Sequence, residues 1–359
     1  MSTILIKDSL RQSVEAASGG LQTVLYTAKG QPTFMNIIEK YDLSSIDPSL
    51  SGTHPAFIVD GVTKDKIFVG TYGATLKNGE LLSLPNTEPT NGATYANLIA
   101  AAKSNGSGHH VMTNTEWAAV ALLTVKDNNA SKLLGNTYYG RSSGDATQYG
   151  RRVDGLSAIA GITTGNPKIL TGSGPVSFRH NQRYNGISDL VGNLHEFYTG
   201  FRLVNSEIQV IENNNAASGD ALSTSTAWRA IHAQTGELLV PDGLGTTANS
   251  VRIAPSGTAA NTLVILSFAA FWSMTNPSST PVSTAALNKL KALGLFPIAS
   301  ISTLLGSGLF GFSTSNTTYP IHGGAFREGA ATGLFQVNTS YPFNATGSDI
   351  GTRTAYYTP

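Results

Sequence analysis

Apolar residues recur at helical spacing in three places along this chain and at strand spacing in several more, with Gly, Asn and Pro punctuating the intervals. Tyr95, Leu98, Ile99 and Ala102 fall at i, i+3, i+4 and i+7, with Gly106 just beyond, which predicts an amphipathic helix. Thr113-Asn114-Thr115-Glu116 has the form of a capping box and predicts a second, with Trp117, Val120 and Ala121 on one face. A third is expected over residues 284–293, ended by Gly294 and then Pro297. Lys66-Ile67-Phe68-Val69-Gly70-Thr71-Tyr72 and Leu81-Leu82-Ser83-Leu84 bracket Asn78-Gly79, a pair that tolerates positive φ and predicts a hairpin. After Lys126 the pattern is mostly irregular, with short strands expected at residues 201–204 and 208–211 and no repeat of solenoid length.

Residues 1–50 read as a small separate β element, with Thr23-Val24-Leu25-Tyr26 and Phe34-Met35-Asn36-Ile37-Ile38 as strands around Lys29-Gly30-Gln31-Pro32. Residues 43–55, rich in Ser, Pro, Asp and Gly, are the linker candidate, which leaves 51–359 as the main domain. At the other end, residues 323–357 interleave Phe326, Phe335, Tyr341, Phe343, Tyr356 and Tyr357 with Thr, Asn, Ser and Gly and contain no lysine. Rings that give contact area at low entropic cost, set among adaptable small polar residues, are what binding loops use. Taken singly, each ring is better read as a strand residue of a closing sheet.

Composition narrows the function classes. Of 359 residues, 40% are hydrophobic and 13% charged, and the formal net charge is +1. That balance gives no counterion-release drive toward nucleic acid. The charged fraction is about half of the roughly 25% usual in soluble domains, so the surface is neutral and turn-rich, as expected of a loop-heavy β or α+β protein. No cysteine is present, which excludes disulfides, thiolate metal sites and cysteine nucleophiles and suggests synthesis in a reducing cytoplasm. The opening Met1-Ser2-Thr3-Ile4-Leu5-Ile6-Lys7-Asp8 lacks a signal-peptide core, and the longest apolar run, residues 263–271, is too short for a bilayer, so neither export by that route nor membrane insertion is expected.

Short catalytic motifs carry little. Gly306-Ser307-Gly308-Leu309-Phe310-Gly311 matches a nucleotide-binding glycine pattern, but Ser, Thr and Asn follow it where a helix should open. Gly140-Arg141-Ser142-Ser143-Gly144 matches a serine-hydrolase elbow without its strand and helix. His109-His110 cannot both face one ion from a strand. Glu116, His195, Glu196 and Arg353 sit inside apolar motifs and are expected to anchor buried polar networks, because a buried charge needs partners to be tolerated.

Three signatures occur in order: His110-Val111-Met112-Thr113-Asn114-Thr115-Glu116-Trp117-Ala118-Ala119, then Gly186-Ile187-Ser188-Asp189-Leu190-Val191-Gly192-Asn193-Leu194-His195-Glu196-Phe197, then Gly323-Gly324-Ala325-Phe326 followed by Ile350-Gly351-Thr352-Arg353. The set resembles the formylglycine-generating-enzyme-like branch of the C-type lectin fold, and within it the phage and prophage receptor-binding proteins related to the major tropism determinant, including variable proteins of diversity-generating retroelements. Ala56-Phe57-Ile58-Val59-Asp60-Gly61-Val62, Ser83-Leu84-Pro85-Asn86 and Leu170-Thr171-Gly172-Ser173-Gly174-Pro175-Val176-Ser177 add to the likeness. The chain departs from the pattern where His195, Phe197 and Phe326 replace Trp and Thr352 replaces Phe.

The resemblance implies a non-enzymatic adhesin at a phage tail tip or fibre. It would be made in the bacterial cytoplasm, carried on the virion alongside other tail proteins, displayed as a homotrimer, and bind a bacterial surface protein or glycan. The implied scaffold is Glu116, Trp117, Gly192, Asn193, Glu196, Gly323, Gly324, Gly351 and Arg353; the implied contact residues are Phe326, Arg327, Glu328, Phe335, Gln336, Asn338, Thr339, Tyr341, Phe343 and Asn344. Gly192-Asn193 would supply a turn that Glu196 and the rings around it lock. No cofactor is expected, while a structural calcium remains an open option given abundant Asn, Asp and carbonyl oxygens. Three other readings stand beside it: a calcium-dependent sugar lectin, of whose Glu-Pro-Asn motif Glu88-Pro89-Thr90 is a partial echo, a formylglycine-generating-type oxidase, for which this chain lacks the thiols, and a purely structural particle protein with no receptor.

Overall fold

The computed structural model describes residues 8–219, 221–298 and 308–359; the apolar triplet at residues 4–6 and the first two residues of the Gly306 motif lie outside them. The fold is mixed α and β, dominated by sheet. A five-stranded antiparallel sheet runs in the order Gln22–Tyr26, Pro32–Glu39, Lys66–Gly70, Thr354–Tyr356, His109–Val111. The C-terminal strand is thus inserted between two strands from the first third of the chain. The expected N-terminal hairpin forms, with Gln22 opposite Asn36 and Tyr26 opposite Pro32. It does not stand apart, however, because its second strand is paired along its length with Lys66–Gly70.

A larger sheet lies beside this one, in the order Leu238–Leu239, Trp228–Ile231, Glu207–Ile211, Phe201–Val204, Thr317–His322, Val337–Tyr341, Leu309–Phe312, Ala269–Ala270. His195–Phe197 joins it by pairing with Thr317–His322 on one side and with Ile350–Thr352 on the other. Phe201–Val204 and Glu207–Ile211 form a hairpin whose turn, Asn205-Ser206, has positive φ at both residues, the geometry that matches the twist of the flanking strands. Asn78-Gly79 makes the same kind of turn. It joins Ala74–Lys77 to Glu80–Ser83, whereas Lys66–Gly70, expected as the first arm, belongs to the five-stranded sheet.

Helix Tyr95–Lys103 buries Tyr95, Leu98, Ile99 and Ala102, the four residues of the periodic stripe. The Tyr95 ring stacks on Phe197 at 3.6 Å between centroids. Helix Asn114–Lys126 starts at the expected capping box, where the Thr113 hydroxyl accepts from the Glu116 N–H and the Glu116 carboxylate accepts from the Thr113 N–H, each at 3.0 Å. It is not amphipathic: every residue from Asn114 to Leu122 is buried, so this helix is the axle of the core, with the sheets and helix Thr284–Ala292 packed around it. Trp117 is 1% exposed; burying such a side chain stabilises the fold by roughly 2–3 kcal/mol. Among the described residues no helix is long and apolar enough to cross a membrane.

Candidate functional site

The region 323–357 loops out of the larger sheet, re-enters it as Val337–Tyr341 and Ile350–Thr352, and ends in the five-stranded sheet as Thr354–Tyr356, so its backbone is framed at both ends. Gly323 and Gly324 open it with φ of +78° and +76°. A Cβ at Gly323 would sit 2.5 Å from the Leu190 carbonyl oxygen, and one at Gly324 would sit 2.3 Å from Gln336 Oε1. Only glycine meets both demands there. At the far end, a Cβ on Gly351 would lie 2.7 Å from the Thr90 carbonyl oxygen.

Arg353 follows, fully buried, and pairs with Glu196 through Nε to Oε2 at 2.9 Å and Nη2 to Oε1 at 2.6 Å. Tyr198 donates its hydroxyl to the same carboxylate at 2.6 Å. Glu116 is held similarly, by the Asn214 amide at 2.9 Å and by His110 Nε2 at 3.0 Å, in addition to its cap bond. The expected buried polar networks are therefore present. One detail differs: Glu196 does not lock the Gly192-Asn193 turn. Asn193 does so itself, its Oδ1 accepting from the Ile169 N–H at 2.8 Å and its Nδ2 donating to the Ile169 carbonyl at 3.2 Å.

The ten expected contact residues divide by burial. Phe335 is 1% exposed, stacked on Phe271 at 5.3 Å and edge-on to Trp117 at 5.4 Å. Thr339 is fully buried and donates to the Gly311 carbonyl at 3.2 Å. Phe326 and Gln336 are also buried. These four are packed into the frame, with Phe326 keeping only an edge on a neighbouring polar cleft. On the strand Val337–Tyr341, Val337 and Thr339 turn inward while Asn338 and Ser340 do not, whereas Phe335 and Gln336 precede the strand and are both buried.

The other six, Arg327, Glu328, Asn338, Tyr341, Phe343 and Asn344, keep part or all of their surface in solvent. Arg327 and Asn344 are exposed, and Arg327 Nη2 lies 2.6 Å from Asp349 Oδ2. Glu328 accepts from His195 Nε2 at 2.7 Å and from the Gln336 amide at 2.6 Å. Burial alone would raise its pKa, but the His195 bond and charge, aided by Gln336, more than offset this and hold the carboxyl below its ordinary value. Tyr341 is half-buried, and burial with the nearby charges of Asp349 and Glu328 raises its phenol. Phe343 leans edge-on against Tyr319 at 5.0 Å and Tyr95 at 6.1 Å. This is a surface of rings and fixed charges seated on a rigid base.

Beside it lies a polar cleft of about 530 Å³ that the sequence pattern did not reveal, lined by Glu88, Asn91, Tyr139, Asn166 and Lys168 together with Phe326 and Arg327. Lys168 Nζ pairs with Glu88 at 2.6 Å and donates to Asn91 Oδ1 at 3.0 Å, while the Asn166 amide donates to Glu88 at 3.0 Å. The Lys168 hydrogen bond is the first cause that holds the Glu88 carboxyl below its usual value. Tyr139 adopts φ of +48°, a costly backbone for an aromatic residue. Its N–H donates to the Phe326 carbonyl at 2.7 Å, which ties the cleft wall to the C-terminal loop.

The hydrolase-like motif has no elbow: Ser142 is buried, with its hydroxyl accepting from the Gly144 N–H at 3.1 Å, and Ser143 accepts from the Thr137 hydroxyl at 2.8 Å. His109 and His110 diverge as expected, one to Tyr356 and the other to Glu116. Among the described residues no group of three or more carboxylate or imidazole side chains is placed to hold a metal ion. No family model matches the chain, and a search of curated proteins returned no significant match.

Proposed function

We propose that this protein is a receptor-binding adhesin of a phage or prophage tail tip, built on the C-type lectin fold in its formylglycine-generating-enzyme-like form. It recognises a bacterial surface protein or glycan through Arg327, Glu328, Asn338, Tyr341, Phe343 and Asn344. The observation that carries this reading is the division of labour within residues 323–357. Glycines, buried rings and the Glu196–Arg353 pair fix the backbone, while an exposed set of rings, amides and charges lies over it. Substitutions at the exposed Arg327 and Asn344 leave the glycine turns, the buried rings and the Glu196–Arg353 pair untouched, which is what a changeable recognition surface requires. Arg and Tyr are also the residue types that dominate binding energy at interfaces. Display as a homotrimer with other tail proteins on the virion would multiply a weak single-site affinity.

The test is binding of the fluorescently labelled protein to a panel of bacteria by flow cytometry. We expect staining of particular strains that falls about tenfold or more for Arg327→Ala combined with Tyr341→Ala. Unchanged staining of a folded variant overturns the surface assignment, and no staining of any strain overturns the adhesin reading. Protease and periodate treatment of the cells separate a protein receptor from a glycan. Staining that survives EDTA argues against a calcium-dependent lectin.

A further inference from the structure

A second cavity, remote from residues 323–357, carries its own chemistry. It encloses about 240 Å³ between the loop 43–55, the end of strand Glu207–Ile211 and helix Thr284–Ala292. Its walls are aliphatic: Leu43, Leu50, Pro55, Val210, Leu238 and Leu293. Five polar residues interrupt them, Ser51, Glu212, Asn213, Asn288 and Lys289, of which two are charged. Lys289 reaches the cavity from the helix, half-buried, and no ion pair among the described residues includes it. Glu212 stands exposed among the lining residues, so the site offers one charge of each sign. Asn288 donates its amide N–H to the Ser49 carbonyl at 3.1 Å, which fixes the amide's orientation and leaves its buried Oδ1 without a hydrogen-bond partner.

A carboxylate and an ammonium beside an aliphatic hollow are complementary to a ligand with an ammonium, a carboxylate and a branched apolar side chain. A fatty acid would meet Glu212 with like charge, and an apolar amine would leave Lys289 unpaired. Burial lowers the Lys289 pKa, against the opposing field of Glu212; a ligand carboxylate would restore it.

We propose that this cavity binds a free aliphatic α-amino acid, with its carboxylate on Lys289, its ammonium on Glu212, and its side chain among Leu43, Leu50 and Leu293. The site stands independently of the receptor-binding reading.

Isothermal titration with three probes tests it: L-leucine, 4-methylpentanoate, which lacks the ammonium, and 3-methylbutylamine, which lacks the carboxylate. Leucine is expected to bind with a dissociation constant on the order of 0.1–1 mM and each truncated probe at least about tenfold more weakly. Lys289→Met should remove leucine's advantage over the amine, and Glu212→Gln its advantage over the acid, with thermal unfolding of both variants unchanged. Equal affinity for the three probes, which would make the cavity merely apolar, overturns the proposal. So does the absence of leucine heat up to about 10 mM.

Discussion

Arg353 and Glu196 meet across the seam between the two sheets as a two-point pair, and the arginine reaches both sheets at once. Its Nε and Nη2 bind Glu196 on the strand His195–Phe197, while Nη1 donates to the Gly70 carbonyl of the five-stranded sheet and Nη2 also to the Ser188 carbonyl, each at 2.8 Å. The chain passes from one sheet to the other at this residue, between Ile350–Thr352 and Thr354–Tyr356. Breaking one side of a buried pair leaves an uncompensated charge and costs about 3–5 kcal/mol. Arg353→Leu is expected to lower the urea midpoint by that equivalent. Arg353→Leu with Glu196→Leu should cost less than the sum of the single changes in a double-mutant cycle.

The glycine at the start of the C-terminal loop is open to a cleaner comparison. Gly323 and Gly243 have almost the same φ, +78° and +79°, but a Cβ at Gly243 meets nothing within 4 Å whereas one at Gly323 lies 2.5 Å from the Leu190 carbonyl. Gly243→Ala should therefore cost only the left-handed backbone penalty of about 1–2 kcal/mol. Gly323→Ala should cost about 1–3 kcal/mol more, from the forced shift of packed backbone. Equal losses by chemical denaturation would show that the close approach to Leu190 relaxes freely.

Much of the frame was legible because its signals are local. The capping box at Thr113, the stripe Tyr95-Leu98-Ile99-Ala102 and the glycine after helix Thr284–Ala292 each act within a few residues. Helix Ser9–Ser18 escaped notice because its only buried residue is Ser18; it is held by the Asp8 cap and the left-handed Gly19 instead of an apolar face. The all-round burial of helix Asn114–Lys126 was also hidden, since Ala118 and Ala119 look neutral until sheets close over both sides. Thr339 could have been placed correctly from period-two alternation with Val337 on the strand Val337–Tyr341. Glu88, Asn91 and Lys168 could not, because nothing short-range in the sequence brings them to Arg327.

Acidity should expose the buried histidines before it titrates the carboxylates. His54 is fully buried, and its Nδ1 accepts from the Ala56 N–H at 3.1 Å, a bond that protonation would remove. Burial lowers its pKa to about 3, and burial with the neighbouring His110 lowers that of His109 to about 4. The unfolded chain takes up these protons near pH 6.5 and the folded protein only far below. Their contribution is complete above pH ~6.5 and falls as pH drops from there toward about 3–4. Urea midpoints measured from pH 7 to pH 5 should decline, and His54→Asn, which retains an acceptor for the helix start, should flatten the decline. A midpoint independent of pH over that range would contradict the neutral, buried state of both rings.

The re-sorting of the C-terminal residues predicts opposite phenotypes for neighbours in sequence. Phe335 fills space between Phe271 and Trp117, so Phe335→Ala opens a cavity and should cost about 3–5 kcal/mol. Asn344 is exposed, and Asn344→Ala should leave stability within about 0.5 kcal/mol of the parent. Tyr341 lies between these cases, half-buried at the end of its strand, and Tyr341→Phe keeps its packing while removing the hydroxyl. In the adhesin reading, Asn344→Ala and Tyr341→Phe reduce binding to cells without a change in unfolding temperature. Phe335→Ala lowers the unfolding temperature, and what remains folded binds normally. If purified, folded Phe335→Ala instead loses binding while Asn344→Ala and Tyr341→Phe retain it, the recognition surface lies elsewhere on the molecule.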